Sequence, residues 1–285
     1  MQPDIRFPGL GIEIQHLSKG FDIFGFHIAW YGVLIAVAMF TGVMITGRLA
    51  RKTGQKPEAY YDFLLGAIIV AVIGARLYYV LFSWSEFSDN PLRIFNLRTG
   101  GLAIYGGIIG GVLMAIRFSK KSGISFGRIV DTCAPGIIAG QAIGRWGNFI
   151  NREAFGGYTD NLFAMQIKYT DVTQGNLNPG ASLQTVIHEG VQYLQVHPTF
   201  LYESIWNVFI LVLLLVLRKR MKFDGELFCL YLGGYGIGRF IIEGLRTDQL
   251  RIFGVAVSQA LGLMLFIFAV VYIFIRRRRA ASETL

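Results

Sequence analysis

Residues 144–157 read Gly-Arg-Trp-Gly-Asn-Phe-Ile-Asn-Arg-Glu-Ala-Phe-Gly-Gly, and they directly follow a long apolar run. This position places the guanidinium of Arg145 at membrane depth. A guanidinium does not shed its proton and is costly in hydrocarbon, so it requires an anionic partner. The most abundant anion of a bilayer is the phospholipid phosphate. The stretch therefore indicates a protein that binds an anionic lipid, or a similar phosphate compound, inside the membrane.

The composition is that of an integral membrane protein. Of the 285 residues, 53% are apolar and 16% are charged, whereas about a quarter are charged in soluble domains. The net charge of +9 does not indicate nucleic-acid binding, because the basic residues cluster at the ends of apolar runs. Cys133 and Cys229 lie inside such runs, and the cysteines and histidines lack the spacing of metal ligands. We expect neither a metal nor another cofactor.

Apolar segments long enough to cross a bilayer predict an all-α integral membrane protein with seven transmembrane helices. The segments are 24–46, 61–83, 100–118, 128–150, 198–217, 226–244 and 252–275. The predicted parts are an external segment 1–23, helices one to four within 24–150, an external head subdomain 151–197, helices five to seven within 198–275, and a basic cytoplasmic tail 276–285. Inside the head, Phe163–Tyr169 and Val191–Val196 predict short strands.

The basic residues orient these helices. Sixteen of the 27 lysines and arginines fall in connections on one side, eight fall on the other side, and three fall inside predicted spans. The positive-inside rule assigns the richer side to the cytoplasm. The amino terminus is then outside and the carboxy terminus inside, which agrees with seven spans.

With this orientation, polar side chains from six predicted spans fall into the outer half of the bilayer. Their common depth predicts one polar cavity that opens toward the outer leaflet. An intramembrane arginine can instead be purely structural, paired with a carboxylate or reaching to the interface. The residues in this layer are His27, Tyr31, Arg76, Tyr105, Arg145, Tyr202, Glu203 and Arg239.

Helical spacing groups some of these residues on shared faces. Tyr235, Arg239 and Glu243 are four residues apart and should stack on one face. Glu203 and Glu243 are interpreted either as charge compensation for an arginine or as support for a phosphate clamp, and the two roles are compatible. Two further pairings share a face: Arg145 with Gln141 and Asn148, and Glu203 with Asn207.

Paired glycines mark the third predicted span. They are Gly100-Gly101, Gly106-Gly107 and Gly110-Gly111. Glycines at such spacing allow two helices to approach closely. The alternative is that the pair at 106–107 admits a lipid headgroup to the backbone near the outer surface.

The sequence resembles the prolipoprotein diacylglyceryl transferases of bacteria. The stretch 144–153, followed by Gly156, is similar to the signature of that family. Other stretches resemble it in the same order: Trp30-Tyr31-Gly32, Gly74-Ala75-Arg76, Gly100-Gly101 with Gly106-Gly107, His197-Pro198 with Leu201-Tyr202-Glu203, and Gly238-Arg239-Phe240 with Glu243 and Arg246-Thr247-Asp248.

The resemblance implies a reaction and its partners. Such enzymes move a diacylglyceryl group from phosphatidylglycerol to the lipobox cysteine of a prolipoprotein signal peptide, form a thioether and release glycerol phosphate. The resemblance further implies that Arg145 and Arg239 bind the headgroup. Asn148 and Gly156 would help to form the site. Around it would lie Tyr31, Tyr235 and Glu243, and we add Arg76 and Glu203 from the outer layer.

One position departs from the family pattern. Many members carry a histidine before the second glycine pair of span three, whereas this chain has Tyr105. Our hypothesis is that Arg145 and Arg239 lower the thiol pKa and stabilise the departing phosphate, while Tyr105 orients the thiol or the phosphate, or relays the thiol proton. An unperturbed tyrosine is a poor base at neutral pH, and an interfacial aromatic anchor is the alternative role for Tyr105.

Two other classes of protein remain open at this point. A transporter or flippase for an anionic lipid or solute would use the same arginines, but it predicts polar residues through both membrane halves and often an internal repeat. A membrane scaffold is the other class, but it would not explain why the polar residues lie on one side of the bilayer.

Overall fold

A computed structural model of the chain describes residues 2–97, 100–172 and 183–282. Its described part contains seven long helices and three small antiparallel sheets. The helices are α1 (Trp30–Lys52), α2 (Pro57–Phe82), α3 (Ile104–Ser122), α4 (Phe126–Asn151), α5 (Thr199–Leu217), α6 (Glu226–Glu243) and α7 (Val257–Ser282).

Four of these helices are long and apolar enough to cross a membrane: α1, α2, α5 and α7. The chain is therefore a mostly helical, multi-pass membrane protein. Helices α3, α4 and α6 carry several glycines and polar side chains, which a bundle interior tolerates better than lipid does. That these three also cross the bilayer stays a prediction.

Three helices begin later than predicted, and each has a local reason. Helix α1 begins at Trp30 instead of residue 24, because β3 (Gly20–Ile23) and β4 (Phe26–Ala29) form a hairpin before it. Helix α7 begins at Val257 instead of 252, because β8 (Arg251–Ile252) pairs with β9 (Val255–Ala256). Helix α3 begins at Ile104 instead of 100, because Gly100 and Gly101 have φ of +82° and +76°.

A five-stranded sheet forms the head. Its strand order is β2 (Ile12–Ile14), β1 (Ile5–Phe7), β5 (Met165–Lys168), β7 (Val191–Val196), β6 (Gln184–His188), and all pairs are antiparallel. The strands predicted at 163–169 and 191–196 correspond to β5 and β7. Strands β1 and β2 lie in the segment 1–23, so this segment and the head share one sheet. Residues 173–182 of the predicted head lie outside the described residues.

The chain divides into two compact units, one formed by residues 1–42 and 135–285 and the other by 43–134. In the second unit, α2 and α3 pack closely through glycine. A Cβ on Gly106 would lie 2.2 Å from the carbonyl oxygen of Gly74, and one on Gly110 would lie 2.7 Å from that of Val70. This geometry supports the packing interpretation for Gly106 and Gly110.

Ile5 lies in the core of the head, where it is fully buried and pairs with Ile14 and Ile167. Larger truncations of its side chain should therefore destabilise the head more than smaller ones. Replacing Ile5→Ala should lower the free energy of unfolding of the head by about 2–5 kcal/mol, because a cavity opens. The matched Ile5→Val variant should cost about 0.5–1.5 kcal/mol. Hydrogen–deuterium exchange of the β5 and β7 amides in detergent measures both. Equal exchange in all three proteins would show that β1 does not stabilise the head.

Candidate functional site

Glu203 is a buried carboxylate at the centre of the polar cluster. It lies in the second turn of α5 and is 5% exposed. Its Oε2 is in contact with Nε of Arg145 from α4, and its Oε1 accepts a hydrogen bond of 2.8 Å from Nη1 of Arg239 in α6. One side chain thus ties together three helices.

Further charges surround this centre. Nη2 of Arg239 lies 2.7 Å from Oε2 of Glu243, one turn further along α6. Arg246 follows α6, and its Nη1 is 3.7 Å from Oε1 of Glu203 while its Nε is 3.9 Å from Oε2 of Glu243. Three arginines and three carboxylates form the network, which has no formal net charge: Arg145, Arg239, Arg246, Glu203, Glu243 and Asp248.

The outer edge of the network is a bidentate pair. Arg246 donates to both carboxylate oxygens of Asp248, at 2.9 and 2.7 Å. Burial raises the pKa of Asp248, but the hydrogen bonds and charge of Arg246 outweigh this effect and hold the pKa below its usual range. Burial likewise disfavours the charged form of Arg246, yet Asp248, Glu203 and Glu243 raise its pKa. Both groups therefore stay ionised at neutral pH.

Arg145 differs from Arg239 and Arg246 in how many of its N–H groups lack a partner among the described residues. It approaches Glu203 through Nε, and neither of its terminal amino groups donates a hydrogen bond to a residue that the structure describes. Its side chain retains 20% exposure. Four N–H groups of one guanidinium are thus available for a ligand, while the Nε contact holds the plane of the group in place.

Unpaired polar atoms continue from the network toward the middle of the helices. Gln141, one turn before Arg145, donates 3.0 Å to the hydroxyl of Tyr231, but its buried Oε1 has no hydrogen-bond partner among the described residues. Asn207, one turn after Glu203, is also buried, and its Nδ2 has no hydrogen-bond partner among the described residues. Buried polar atoms are normally satisfied, so these two atoms are potential hydrogen-bonding groups that the described residues leave unused.

The signature stretch is held by its own side chains. Nδ2 of Asn148 donates 3.0 Å to Oε1 of Glu153, and Nδ2 of Asn151 donates 3.3 Å to the same oxygen. Gly147 has no room for a side chain, because a Cβ there would lie 2.4 Å from the ring of Tyr31. Tyr31 therefore packs against α4 at Gly147, and Asn148 lies three residues after Arg145, on the same face of that helix.

Gly156 joins the head to the ends of two helices. Its N–H donates to the carbonyl of His197 at 3.0 Å, and the N–H of Gly157 donates to that of Leu245 at 2.9 Å. A Cβ on Gly156 would lie 2.7 Å from Cβ of His197 and 2.8 Å from the oxygen of Leu245. Because Arg246 follows Leu245 directly, this close approach positions Arg246 for the network.

His197 lies beside this junction. Its Nδ1 is 3.3 Å from the hydroxyl of Tyr202, and burial lowers its pKa, so the ring is neutral at neutral pH. No three His, Cys, Asp or Glu side chains in the described ranges come together in a way that could hold a metal ion.

Arg76 has a structural role in the second unit. Its five N–H groups donate to the backbone carbonyls of residues 93, 94, 96, 100 and 101 at 2.7–3.1 Å, and its guanidinium lies 5.0 Å from the ring centroid of Phe87. No donor is left for a phosphate. We therefore leave Arg76 out of the proposed site, although we predicted it from its depth.

Of the other two predicted tyrosines, Tyr235 belongs to the first unit and Tyr105 to the second. Tyr235 stacks on Tyr231 one turn before Arg239, with 6.1 Å between ring centroids. Tyr105 belongs to the second unit, in the first turn of α3, where it is half exposed and 6.2 Å from the ring of Tyr78. That Tyr105 acts on the same substrate as Arg145 stays a prediction.

Sequence reasoning missed two members of the network. Arg246 and Asp248 belong to a stretch that resembles the family, but the set of predicted site residues includes neither of them. The spacing held a signal, because Arg246 follows Glu243 by three residues and Asp248 follows Arg246 by two. Charges this close after a helix end can fold back onto its last turn.

Comparison with known proteins agrees with these features. The model of the family described as prolipoprotein diacylglyceryl transferase matches residues 19–275. Proteins of Bacillus cereus (strain G9842) and Bacillus mycoides (strain KBAB4) are each 40% identical over 258 residues, which is 90% of this chain and 91% of theirs. Both carry the name phosphatidylglycerol–prolipoprotein diacylglyceryl transferase.

The junction at Gly156 predicts a strong effect of one methyl group. Gly156→Ala should force apart the backbones of residues 156, 197 and 245 and destabilise the protein by about 1–3 kcal/mol, as overpacking does. Thermal unfolding in detergent measures the change. The control is Gly111→Ala, since a Cβ on Gly111 meets nothing within 4 Å and alanine favours a helix. A Gly156→Ala protein as stable as this control would contradict the close approach.

Proposed function

We propose, since the chain belongs to the prolipoprotein diacylglyceryl transferase family, that the cluster around Glu203 is the site of its reaction. The protein transfers the diacylglyceryl group of phosphatidylglycerol to a prolipoprotein, the first step of lipoprotein maturation. The acceptor in our proposal is the thiol of the lipobox cysteine in the signal peptide.

The reaction exchanges one bond for another at a single carbon. The cysteine sulfur forms a bond to the glycerol carbon that carries the phosphate, and the bond from that carbon to the phosphate oxygen breaks. Glycerol phosphate leaves with the electron pair of the broken bond, and the thiol loses its proton. Negative charge therefore moves from sulfur to the departing phosphate, which is where positive groups help most.

The observation that carries the proposal is the free end of Arg145. Its terminal amino groups have no described partner, and its plane is fixed through Nε. A planar guanidinium with adjacent free N–H groups matches two oxygens of a phosphodiester. We assign Arg145 as the phosphate contact, and the polar atoms of Gln141 and Asn207 are nearby candidates to meet glycerol or ester oxygens.

Arg239 has a different task from Arg145. Both of its terminal nitrogens already face carboxylates, at 2.8 Å from Glu203 and 2.7 Å from Glu243. Its Nε–H and the second N–H of each terminal nitrogen remain, so Arg239 has fewer free donors for the departing phosphate than Arg145. Glu203 and Glu243 do not touch the substrate in this scheme, but they hold both arginines in position, which is the support that a phosphate clamp requires.

A neutral network suits an anionic lipid and a thiol. Each guanidinium is paired, so the empty site does not contain unbalanced buried charge. When a phosphodiester binds, its charge interacts with Arg145 in a site with little water, where electrostatic interactions are strong. The same positive groups favour a thiolate, whose unperturbed pKa of about 8.5 must be lowered for attack at neutral pH.

The placement in the cell follows from charge. The basic connection 218–222 and the residues from Arg276 onward lie at the opposite ends of α5, α6 and α7 from Glu203 and Glu243. We propose a bacterial inner-membrane protein with an external amino terminus, a cytoplasmic carboxy terminus and a site that faces the outer leaflet. The transporter alternative is not favoured, because the relatives are named as transferases.

Arg145 provides the decisive test of the proposed site. Arg145→Ala should reduce transfer to a lipobox peptide by at least about 10²-fold, because transition-state charge is no longer stabilised. Arg145→Lys keeps the charge but loses the planar fork, so it should restore part of the rate. The control is Arg220→Ala, at an exposed position after α5.

The measurement follows the peptide mass in vesicles that contain phosphatidylglycerol. The thermal unfolding of each variant shows that it is folded. If Arg145→Ala is folded and transfers at the rate of the Arg220→Ala control, Arg145 is not the phosphate contact. If the unmodified protein forms no diacylglyceryl adduct while folded, the transferase activity itself is excluded.

Tyr105 has its own test. Tyr105→Phe removes the hydroxyl and keeps the ring, so an interfacial anchor would survive the change. If the hydroxyl orients or relays the thiol proton, the transfer rate should fall by about 10²-fold, as is typical for loss of a proton-transfer group. The same peptide-mass assay measures it, with Tyr78→Phe as the neighbouring control. An unchanged rate removes the Tyr105 hydroxyl from the chemistry.

A further inference from the structure

Three hairpins of this protein share one two-residue turn. The central residues are Phe24-Gly25, Glu189-Gly190 and Phe253-Gly254. Their φ angles are +49° and +80°, +48° and +79°, and +50° and +79°. Two consecutive positive φ values define the type I′ turn, which favours Asn, Asp or Gly at its first central position.

Phenylalanine is a poor choice for that first position. A bulky residue with positive φ is a steric outlier, and this chain accepts the strain twice. The two rings gain nothing from the protein in return, since Phe24 is 97% exposed and Phe253 is 102% exposed. Residues that strain the backbone and expose a large apolar ring require a partner outside the chain.

The positions of the hairpins identify that partner. Strand β4 ends at Ala29, directly before α1, and β9 ends at Ala256, directly before α7. Both helices are among those apolar enough to span a membrane. The third turn, with Glu189, connects β6 and β7 in the head sheet. The aromatic residue therefore occurs where the turn adjoins a spanning helix, and the charged residue occurs where it does not.

The neighbours of each tip fit a lipid interface. Ile23 and Phe26 flank one turn, Ile252 and Val255 flank the other, and all four are exposed. Exposed Arg251 adds a positive charge next to the second tip. Aromatic and aliphatic side chains combined with a basic residue are typical of segments that lie in the headgroup region of an anionic bilayer.

We propose that these two hairpins dock on the bilayer, and that Phe24 and Phe253 insert their rings at the boundary between headgroups and acyl chains. The occupant of this surface is the lipid itself, continuous with the lipid around α1 and α7. Burial of two aromatic rings is favourable and offsets the strain of the turns. The insertion fixes the depth at which the amino ends of α1 and α7 enter the membrane.

The first experiment measures the depth of each tip. Single variants Phe24→Cys, Phe253→Cys and Glu189→Cys are labelled with an environment-sensitive fluorophore and placed in vesicles of phosphatidylglycerol and a neutral phospholipid. The native cysteines are buried, and the unmodified protein is the labelling control. Nitroxide attached high on the acyl chain should quench both tips several-fold more than position 189. Equal quenching at all three positions would overturn the proposal.

A second experiment avoids the attached label. The double variant Phe24→Asn, Phe253→Asn places a residue that the turn prefers, so the hairpins stay folded while they lose their rings. Their backbone amides should exchange hydrogen several-fold faster than those of the unmodified protein in vesicles, and equally fast in detergent. Glu189→Asn should leave the exchange of these amides unchanged both in vesicles and in detergent. Unchanged exchange in vesicles argues against docking, and protection that appears only after a lipobox peptide is added would identify the peptide as the partner instead.

Discussion

The buried carboxylate of Glu203 is the interaction on which the polar cluster depends. It joins Arg145 of α4 to Arg239 of α6 from its own place in α5. Three helices that each carry a charge into an apolar environment become a neutral assembly through it. Removal of one partner from such an assembly leaves uncompensated buried charge, which is more costly than the pair is stabilising. The site and the packing of these helices are therefore one structure.

Neutrality does not make the cluster inert, because its hydrogen-bonding capacity is unevenly used. The carboxylates take Nε of Arg145 but both terminal nitrogens of Arg239. Arg145 then presents both of its terminal nitrogens in full, whereas Arg239 keeps only the N–H groups that do not face a carboxylate. An anion that enters finds donors already oriented, and little reorganisation accompanies the chemical step, which is the condition for effective electrostatic stabilisation.

Helical periodicity and the charge pattern of the sequence predicted which polar residues share a helix face and which share a depth in the membrane. The four-residue spacing brought Arg239 onto Glu243, and orientation placed Arg145, Glu203 and Arg239 at one depth. These patterns could not show how each donor is used. Arg76 lies at a similar predicted depth, yet its N–H groups are all taken by backbone carbonyls.

Strand β1 was not predicted from the sequence. Short strands such as Ile5–Phe7 pair with residues about 160 positions away, and no local sequence pattern indicates such a partner.

The connection between head and cluster explains why the signature stretch is long. Arg145 lies within α4, which ends at Asn151, and residues 152–157 continue beyond the helix, where Gly156 pairs with the chain at Arg246. Arg246 in turn faces both Glu203 and Glu243. The stretch thus begins at the first arginine of the network and ends where it positions the third. A helix alone could place Arg145, but a segment that returns across the ends of α5 and α6 is needed to hold Arg246 against Glu203, the carboxylate that Arg145 also contacts.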